Sequence, residues 1–457
     1  MPELRELEYG DEIRAALEAL AVRTGSKYTE RGYVVFERYF RGDHPMRYVS
    51  KEFAKRFGAT LKTLVDNYCP MVVDTLASRL IVDTFTGSQE KTITDFLNKT
   101  RFEALQRSVH KDAVLYGDAY VIVWPLFEDG KRSRFYRQRP WNIAPVYDPT
   151  EPEKLLCAAK LWPIADKSKR FRLTIYYEDR IERYITGSID GKGISAATVV
   201  DEYEADGEEF LQPHKYGRVP VAHFANGVGL GEFGVSELHD VIPLQAMLNK
   251  QVYDLMVGME SASWLQRWAS GIEPKIDPAT GKPDTSAFVG SRMWTVANAE
   301  GKFGQLDGPD PTPIIAAIES TRMEISRIKR IPAYMLGMTG DIPSGAALRV
   351  TEAPLTAAVE DRQVHFGNIW EDTLAMALGR EDNLTAVWRD TSPVSFSEQL
   401  DAGLTMKSLG LPTTYILQRS LGLTPEEAQK LAEERQAEDD AKAETQMRLL
   451  TRVPEAP

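Results

Sequence analysis

Histidine is the side chain best suited to acid–base or metal chemistry at neutral pH, and the six in this chain are scattered: His44, His110, His214, His223, His239 and His365. No two stand at the spacing that places a pair of imidazoles on one helical face for a metal. His110 with Asp112 and His239 with Asp240 come nearest to an acid–base pair, but adjacent and i,i+2 residues on a helix point to different faces, so neither pair is expected to meet. Asp74 and Asp83 could be imagined in a two-metal nuclease, but no companion Glu-x-Lys pattern accompanies them. Gly227, Gly229, Gly231 and Gly234 are followed by no Lys-Ser/Thr, so they are expected to serve as a flexible lead into a helix rather than a phosphate cradle. Neither a Gly-x-Ser-x-Gly elbow nor a His-Glu-x-x-His pair occurs. Cys69 and Cys157, the two cysteines, exclude a disulfide framework and cysteine-pair zinc sites, and are expected as small buried hydrophobes in a reducing compartment. No catalytic residue, metal site or cofactor is expected.

The elements that would position any site follow from composition and periodicity. The 457 residues exceed what one compact core usually spans. Hydrophobic residues at 43% and charged residues at 27% describe a globular chain. No apolar run approaches the roughly 20 residues that cross a bilayer. Met1 to Glu12 is acidic and polar, unlike a signal peptide. The formal charge of −12 makes this a poor candidate for gripping DNA by phosphate neutralisation.

Residues 1–45 read as helical and then aromatic, closing on the turn Arg41-Gly42-Asp43-His44-Pro45. Leu61, Leu64, Val65, Tyr68, Val72, Val73, Leu76 and Leu80 recur at helical spacing, with Pro70 kinking or dividing the helix. A helix is expected over Phe102 to Tyr116. Residues 115–225 read as mostly β, with strands at Ala119 to Leu126, Phe171 to Tyr177 and Ile181 to Ile185. From Gly234 the pattern is helical. Leu244, Met247, Leu248, Val252, Leu255, Met256 and Met259 share a face, Pro243 sits in the first turn, and the run ends near Trp268. Residues 270–311 are rich in Gly and Pro, with a strand-like piece at Met293 to Val296. A helix after Pro313 carries a stripe of Ile314, Ile318, Ile325 and Ile328 and stops at Ile331-Pro332. Beyond a loop, a long amphipathic helix bent at Pro354 runs to about Gly379. The tail holds helical pieces divided by Gly410-Leu411-Pro412 and Gly422-Leu423-Thr424-Pro425, and its charged end, Glu433 to Glu444, is expected to be a solvated helix that frays.

This order, an α+β and mostly helical one, resembles the portal proteins of tailed phages, particularly long-tailed phages of actinobacteria. The patches that carry the resemblance are Asn67-Tyr68-Cys69-Pro70-Met71-Val72-Val73-Asp74 with Arg79-Leu80; Val219-Pro220-Val221 with Phe224-Ala225-Asn226; and Pro243-Leu244-Gln245 with Leu248-Asn249-Lys250. Ile331-Pro332 with Leu336-Gly337, followed by Pro343-Ser344-Gly345-Ala346-Ala347-Leu348-Arg349, completes the set. The similarity covers roughly residues 45–435 and departs at Ala346, where many relatives carry Glu.

The resemblance implies a portal-like fold: an N-terminal segment (1–45), a wing (46–235, completed by the long helix and strand of 348–392), stem helices (236–269 and 312–334), a clip (270–311), a tunnel loop (335–347), and a crown with C-terminal tail (393–457). It implies a homo-oligomeric ring of about twelve subunits, passing double-stranded DNA without sequence specificity during packaging and ejection. The implied partners are the terminase large subunit, the major capsid and scaffolding proteins and a head–tail adaptor, with no membrane. The place implied is the capsid vertex of the virion, and the host cytoplasm during assembly. A net acidic subunit suits a tunnel that repels DNA. Arg322, Lys329 and Arg330 are the cations expected to touch the backbone briefly, unless they bond a neighbouring Glu or face solvent. Met338, Thr339, Gly340, Asp341, Ile342, Pro343 and Ser344 are expected to narrow the tunnel as a one-way gate. The rival readings are another structural virion protein, such as a capsid or adaptor subunit, and a DNA-processing nuclease.

Overall fold

The computed structural model describes residues 13–21, 32–45, 55, 65–87, 90–124, 134–164, 170–186, 200–202, 209–227, 232–263, 267–270, 276, 278–281, 302–305, 308, 310–337, 345–379, 383–389, 396–421 and 425–450. Helix α1 spans 13–21, followed by α2 (Tyr33–Phe40), α3 (Cys69–Ala77), β1 (Val82–Thr86), α4 (Glu90–Thr100) and α5 (Phe102–Tyr116). A β-rich run comes next: β2 (Asp118–Trp124), β3 (Arg134–Gln138), β4 (Ile143–Tyr147), β5 (Leu155–Pro163), β6 (Phe171–Tyr176), β7 (Arg180–Thr186), β8 (Val200–Glu202), β9 (Leu211–Pro213) and β10 (Val221–Ala225). Then follow α6 (Val241–Ser263), β11 (Arg267–Ser270), β12 (Lys302–Gln305), α7 (Thr312–Lys329), α8 (Gly345–Leu378), β13 (Thr385–Trp388), α9 (Phe396–Ser408), α10 (Thr413–Leu421) and α11 (Pro425–Leu450). The fold is mixed α+β with helix the larger share.

The larger of two compact units holds residues 1–340 and 354–389. Its main sheet is antiparallel in the order β4-β5-β6-β7-β8, with β9 also on β7. Pro145 sits in the outermost strand β4, where a missing backbone donor breaks no ladder. One sheet face turns Leu161, Leu173 and Ile175 onto Leu17 and Leu20 of α1. A second core is built where α8 lays Leu355, Val359, Phe366, Trp370 and Leu374, spaced by four and seven residues, against Phe85, Phe102, Val109 and Phe224. Strands β10-β2-β3 form a smaller sheet, and β1 pairs with β13.

The other unit holds 341–353 and 390–457. The division falls inside α8 at Pro354, a residue that lacks a backbone donor. In this unit α9, α10 and α11 are separated where Gly410 adopts φ +77° and where Pro425 opens the last helix. Helix α11 continues through the charged stretch to Leu450.

Pro70, expected to kink or divide a helix, lies in the first turn of α3, which begins at Cys69; Leu61 and Leu64 of the expected stripe lie outside the described residues. Helix α6 ends at Ser263, and Trp268 lies in β11, which pairs with β12 across the Gly/Pro-rich insert. The strand expected at Met293 to Val296 lies outside the described residues.

Candidate functional site

Helices α6 and α7 pack on each other, and the three cations singled out in the sequence all stand on or just after α7. Thr312 opens α7 by donating its backbone N–H to the Asp310 carboxylate at 3.0 Å, which holds that carboxyl below the usual range. The helix closes at Arg330, which adopts φ +56°, while Ser326 donates its hydroxyl to the Ile331 carbonyl at 2.6 Å. Of the expected isoleucine stripe, Ile318 and Ile325 are buried, but Ile328 is exposed.

The buried face of α6 is not the expected methionine-rich one. Met247, Met256 and Met259 are exposed, and Gln245 and Asn249 are buried instead. The reason is the segment 65–68, whose backbone offers groups that apolar side chains could not satisfy. Gln245 donates to the Asp66 carbonyl at 2.6 Å and accepts from Tyr68 N at 2.9 Å. It also bonds Asn249 at 3.1 Å, and Asn249 reaches His44 at 2.8 Å.

Arg322 is held in the same network. Its Nη2 lies 2.7 Å from Asp66 Oδ2, and its guanidinium lies 5.4 Å from the Tyr68 ring centre. Lys329 is 10% exposed, with Nζ 3.2 Å from Glu237 and 3.5 Å from Asp240. Glu237 also accepts from Arg362 at 2.5 Å and from Asn226 at 3.0 Å. Burial opposes the Glu237 carboxylate, but Arg362, Lys329 and Asn226 more than offset that, so its carboxyl stays below the usual range. Arg330 is exposed and makes no ion pair among the described residues. It opens onto a pocket of 570 Å³ that Glu237, Lys329 and Arg362 also line. Met338, Thr339, Gly340, Asp341, Ile342, Pro343 and Ser344 lie outside the described residues.

The histidines are structural where they are buried. His110 is fully enclosed, and burial lowers its pKa to about 4. Asp112 turns away to Arg137 at 3.1 Å, as the helical geometry required. His239 and Asp240, by contrast, do meet, at 3.2 Å, because they lie in a turn ahead of α6 rather than on it. Sequence reasoning missed a third arrangement altogether. His223 Nε2 lies 2.8 Å from Asp118, and the Tyr147 hydroxyl is hydrogen-bonded to its Nδ1 at 2.7 Å. Asp118, at 1% exposure, also accepts from the Tyr33 hydroxyl at 2.7 Å and from Gly234 N at 2.8 Å. These bonds tie β2, β4, β10 and α2 together. Their partners are spread from residue 33 to residue 234, so no local motif signals them.

Asp74 and Asp83 pair separately with Lys111 and Arg389. No group of metal-ligating side chains occurs among the described residues. Nor is any described helix long and apolar enough to cross a membrane. Gly234 is a packing position rather than a flexible lead, since a Cβ there would lie 1.9 Å from the Gly117 carbonyl oxygen.

Comparison with known proteins adds the following. The model of the family described as phage portal protein, SPP1 Gp6-like, matches residues 30–441. The portal protein of Mycobacterium phage D29 is 27% identical over 239 residues, 47% of this chain and 49% of that protein. The portal protein of Mycobacterium phage L5 is 27% identical over 252 residues, 49% of this chain and 51% of that protein. The aligned part thus spans about half the length of the curated relatives it matches. Among solved structures, a chain in the neck of an empty gene transfer agent particle has a TM-score of 0.51 at 12% identity, covering 83% of this chain and 95% of its own. A chain in the virion of the native gene transfer agent particle gives 0.51 at 12% identity, with 89% and 98% covered. At that identity the likeness is one of fold.

Proposed function

The chain belongs to the SPP1 Gp6-like phage portal protein family, a structural rather than a catalytic one, and from that premise we propose that it is one subunit of a ring at the capsid vertex through which double-stranded DNA is packaged and ejected. In this reading α6 and α7 belong to the stem (236–269 and 312–334), and β11 and β12 to a clip (270–311) that meets the terminase large subunit and later a head–tail adaptor. Residues 46–235 with 348–392 form the wing, facing the major capsid and scaffolding proteins. Residues 335–347 form the tunnel loop, with Met338 to Ser344 as its gate, and residues 393–457 the crown and tail. ATP hydrolysis is supplied by another protein.

The observation that carries the ring is the apolar surface of the packed helix pair. Met247, Met256, Met259, Ile315 and Ile328 stay exposed on α6 and α7. At about 100° per residue, Met247 and Met256 lie on opposite sides of α6, and a head-to-tail contact between copies that closes by rotation, in which each copy touches two neighbours, would bury both sides.

The same helices suit a lining that does not hold DNA. Each phosphate a cation neutralises adds affinity, and hence friction. Arg322 and Lys329 are already paired with Asp66, Glu237 and Asp240, so a phosphate must displace a carboxylate to reach them. Arg330 is the cation placed to touch the backbone without that exchange. Negative-stain microscopy of the purified chain tests the proposal: rings with a central hole are expected, and compact single subunits at all concentrations would sink it.

A further inference from the structure

One stretch of this acidic chain runs against its overall charge. Residues 160–172 carry Lys160, Lys167, Lys169, Arg170 and Arg172 against a single carboxylate, Asp166. Strands β5 and β6 give part of this charge a fixed geometry. Trp162 is directly opposite Arg172, and Lys160 is opposite Thr174, so all four share one sheet face. The other face at this level, Leu161 opposite Leu173, is buried against α1. Lys160 Nζ stands 4.7 Å, and the Arg172 guanidinium 5.8 Å, from the Trp162 ring centre. Two cations are thereby drawn to one indole, an attractive arrangement for each but a repulsive one for the pair.

Lys160 is the informative member. Its ammonium is half-buried and has no carboxylate partner among the described residues. Burial alone pulls its pKa down, with no neighbouring anion to oppose the effect. The Trp162 ring offsets only part of the cost of desolvating this charge, and an arriving anion would stabilise it further.

We propose that the Lys160–Trp162–Arg172 face of β5 and β6 is an electrostatic contact for the backbone of double-stranded DNA, separate from the α6–α7 helices. The proposal rests on the portal reading only in taking duplex DNA as the polyanion at hand. The ring of Trp162 is already engaged by two cations, so it does not act as a platform for an unpaired base. The contact is with phosphates, and it is independent of sequence. The acidic chain keeps its passage slippery while this face supplies a local, salt-sensitive hold.

The test titrates the full-length chain with a fluorescent short DNA duplex of mixed sequence between about 50 and 200 mM salt. The Lys160→Gln/Arg172→Gln double variant is expected to bind the duplex at least tenfold more weakly at low salt. Its log–log salt slope should fall by about 2, given about 0.9 per phosphate contact. Lys160→Arg should restore most of the affinity. Arg170→Gln, an exposed cation of the same basic stretch, should shift the slope in the same direction by about 1, which keeps the test valid should the double variant fold poorly. Unchanged affinity and slope in the variants overturns the proposal. So does binding of polyglutamate at concentrations where the duplex itself does not bind, which would mark an acidic protein as the partner. Ring formation is scored separately by microscopy, so a negative binding result with intact rings removes this contact and leaves the portal reading standing.

Discussion

The indole nitrogen of Trp370 donates a 2.8 Å hydrogen bond to Nε2 of His110. That bond leaves Nδ1 to donate to the Leu80 carbonyl, also at 2.8 Å, which assigns a neutral imidazole with its proton on Nδ1. The ring lies nearly parallel to Phe366, with centroids 5.3 Å apart. One histidine therefore ties α5 to α8 and to the start of β1 without carrying charge.

Acid should therefore attack this core. Burial lowers His110 from its ordinary 6.5 to about 4, so between those values the unfolded chain binds more protons. The contribution is complete above about pH 6.5 and is lost as pH falls toward about 4, to a total of about 3 kcal/mol. Asp112 has the opposite sign. Burial raises it from 3.8 to about 6 despite Arg137, so its folded form binds the proton more tightly and stability is lost as pH rises through about 6. The two oppose each other in the same window. Asp112→Asn should remove the offset and steepen acid destabilisation, read as urea midpoints at about pH 7, 5.5 and 4.5. An unchanged pH profile in that variant would contradict the assignment.

Glu237 holds two cations in a half-enclosed site. Glu237→Ala leaves Arg362 without its carboxylate and Lys329 with only the exposed Asp240 at 3.5 Å, and should destabilise the chain by about 3 kcal/mol. Glu237→Gln keeps acceptor geometry and should do less harm. Equilibrium denaturation of the two variants checks both the size and the order of these effects.

Gly234 and Gly227 stand in the same glycine-rich run but should respond very differently to alanine. A Cβ on Gly234 would meet backbone atoms at 1.9 Å (Gly117 O) and 2.4 Å (Asn226 N). Gly227→Ala meets a side chain at 3.6 Å and bears only the strain of φ +71°, about 1 kcal/mol. Thermal melts should show Gly234→Ala strongly destabilised or insoluble and Gly227→Ala mildly so. Equal effects would refute the close approach.

Removal of residues 338–344 addresses the proposed gate. Rings should still form, because the exposed apolar side chains of α6 and α7 are untouched, while DNA retention or packaging should fall. Normal packaging by rings that lack the segment would end the gate hypothesis.

Local pattern carried much of the fold. The helix expected over Phe102 to Tyr116 has those bounds, since its period is uniform and Gly117 terminates it at φ +93°. The strand pair around Glu178-Asp179 and the breaks in the tail were legible for the same reason. Helix α6 shows where this fails. Its period marked an apolar stripe correctly as helical, but the face turned inward includes Gln245 and Asn249. Nothing near residue 245 announces that the backbone of Asp66 and Tyr68 will be waiting there.

From sequence alone came the helix over Phe102 to Tyr116, the β-rich character of 115–225, the order of the later helices and the family, because period, proline and glycine act over a few adjacent residues and family patches keep their spacing along the chain. Tertiary structure alone decided which cations remain available. Arg322 meets Asp66 across 256 positions, Lys329 meets Glu237 across 92 and His223 meets Asp118 across 105. Coulomb attraction and hydrogen bonding depend on distance in space, and folding sets that distance without regard to separation along the chain.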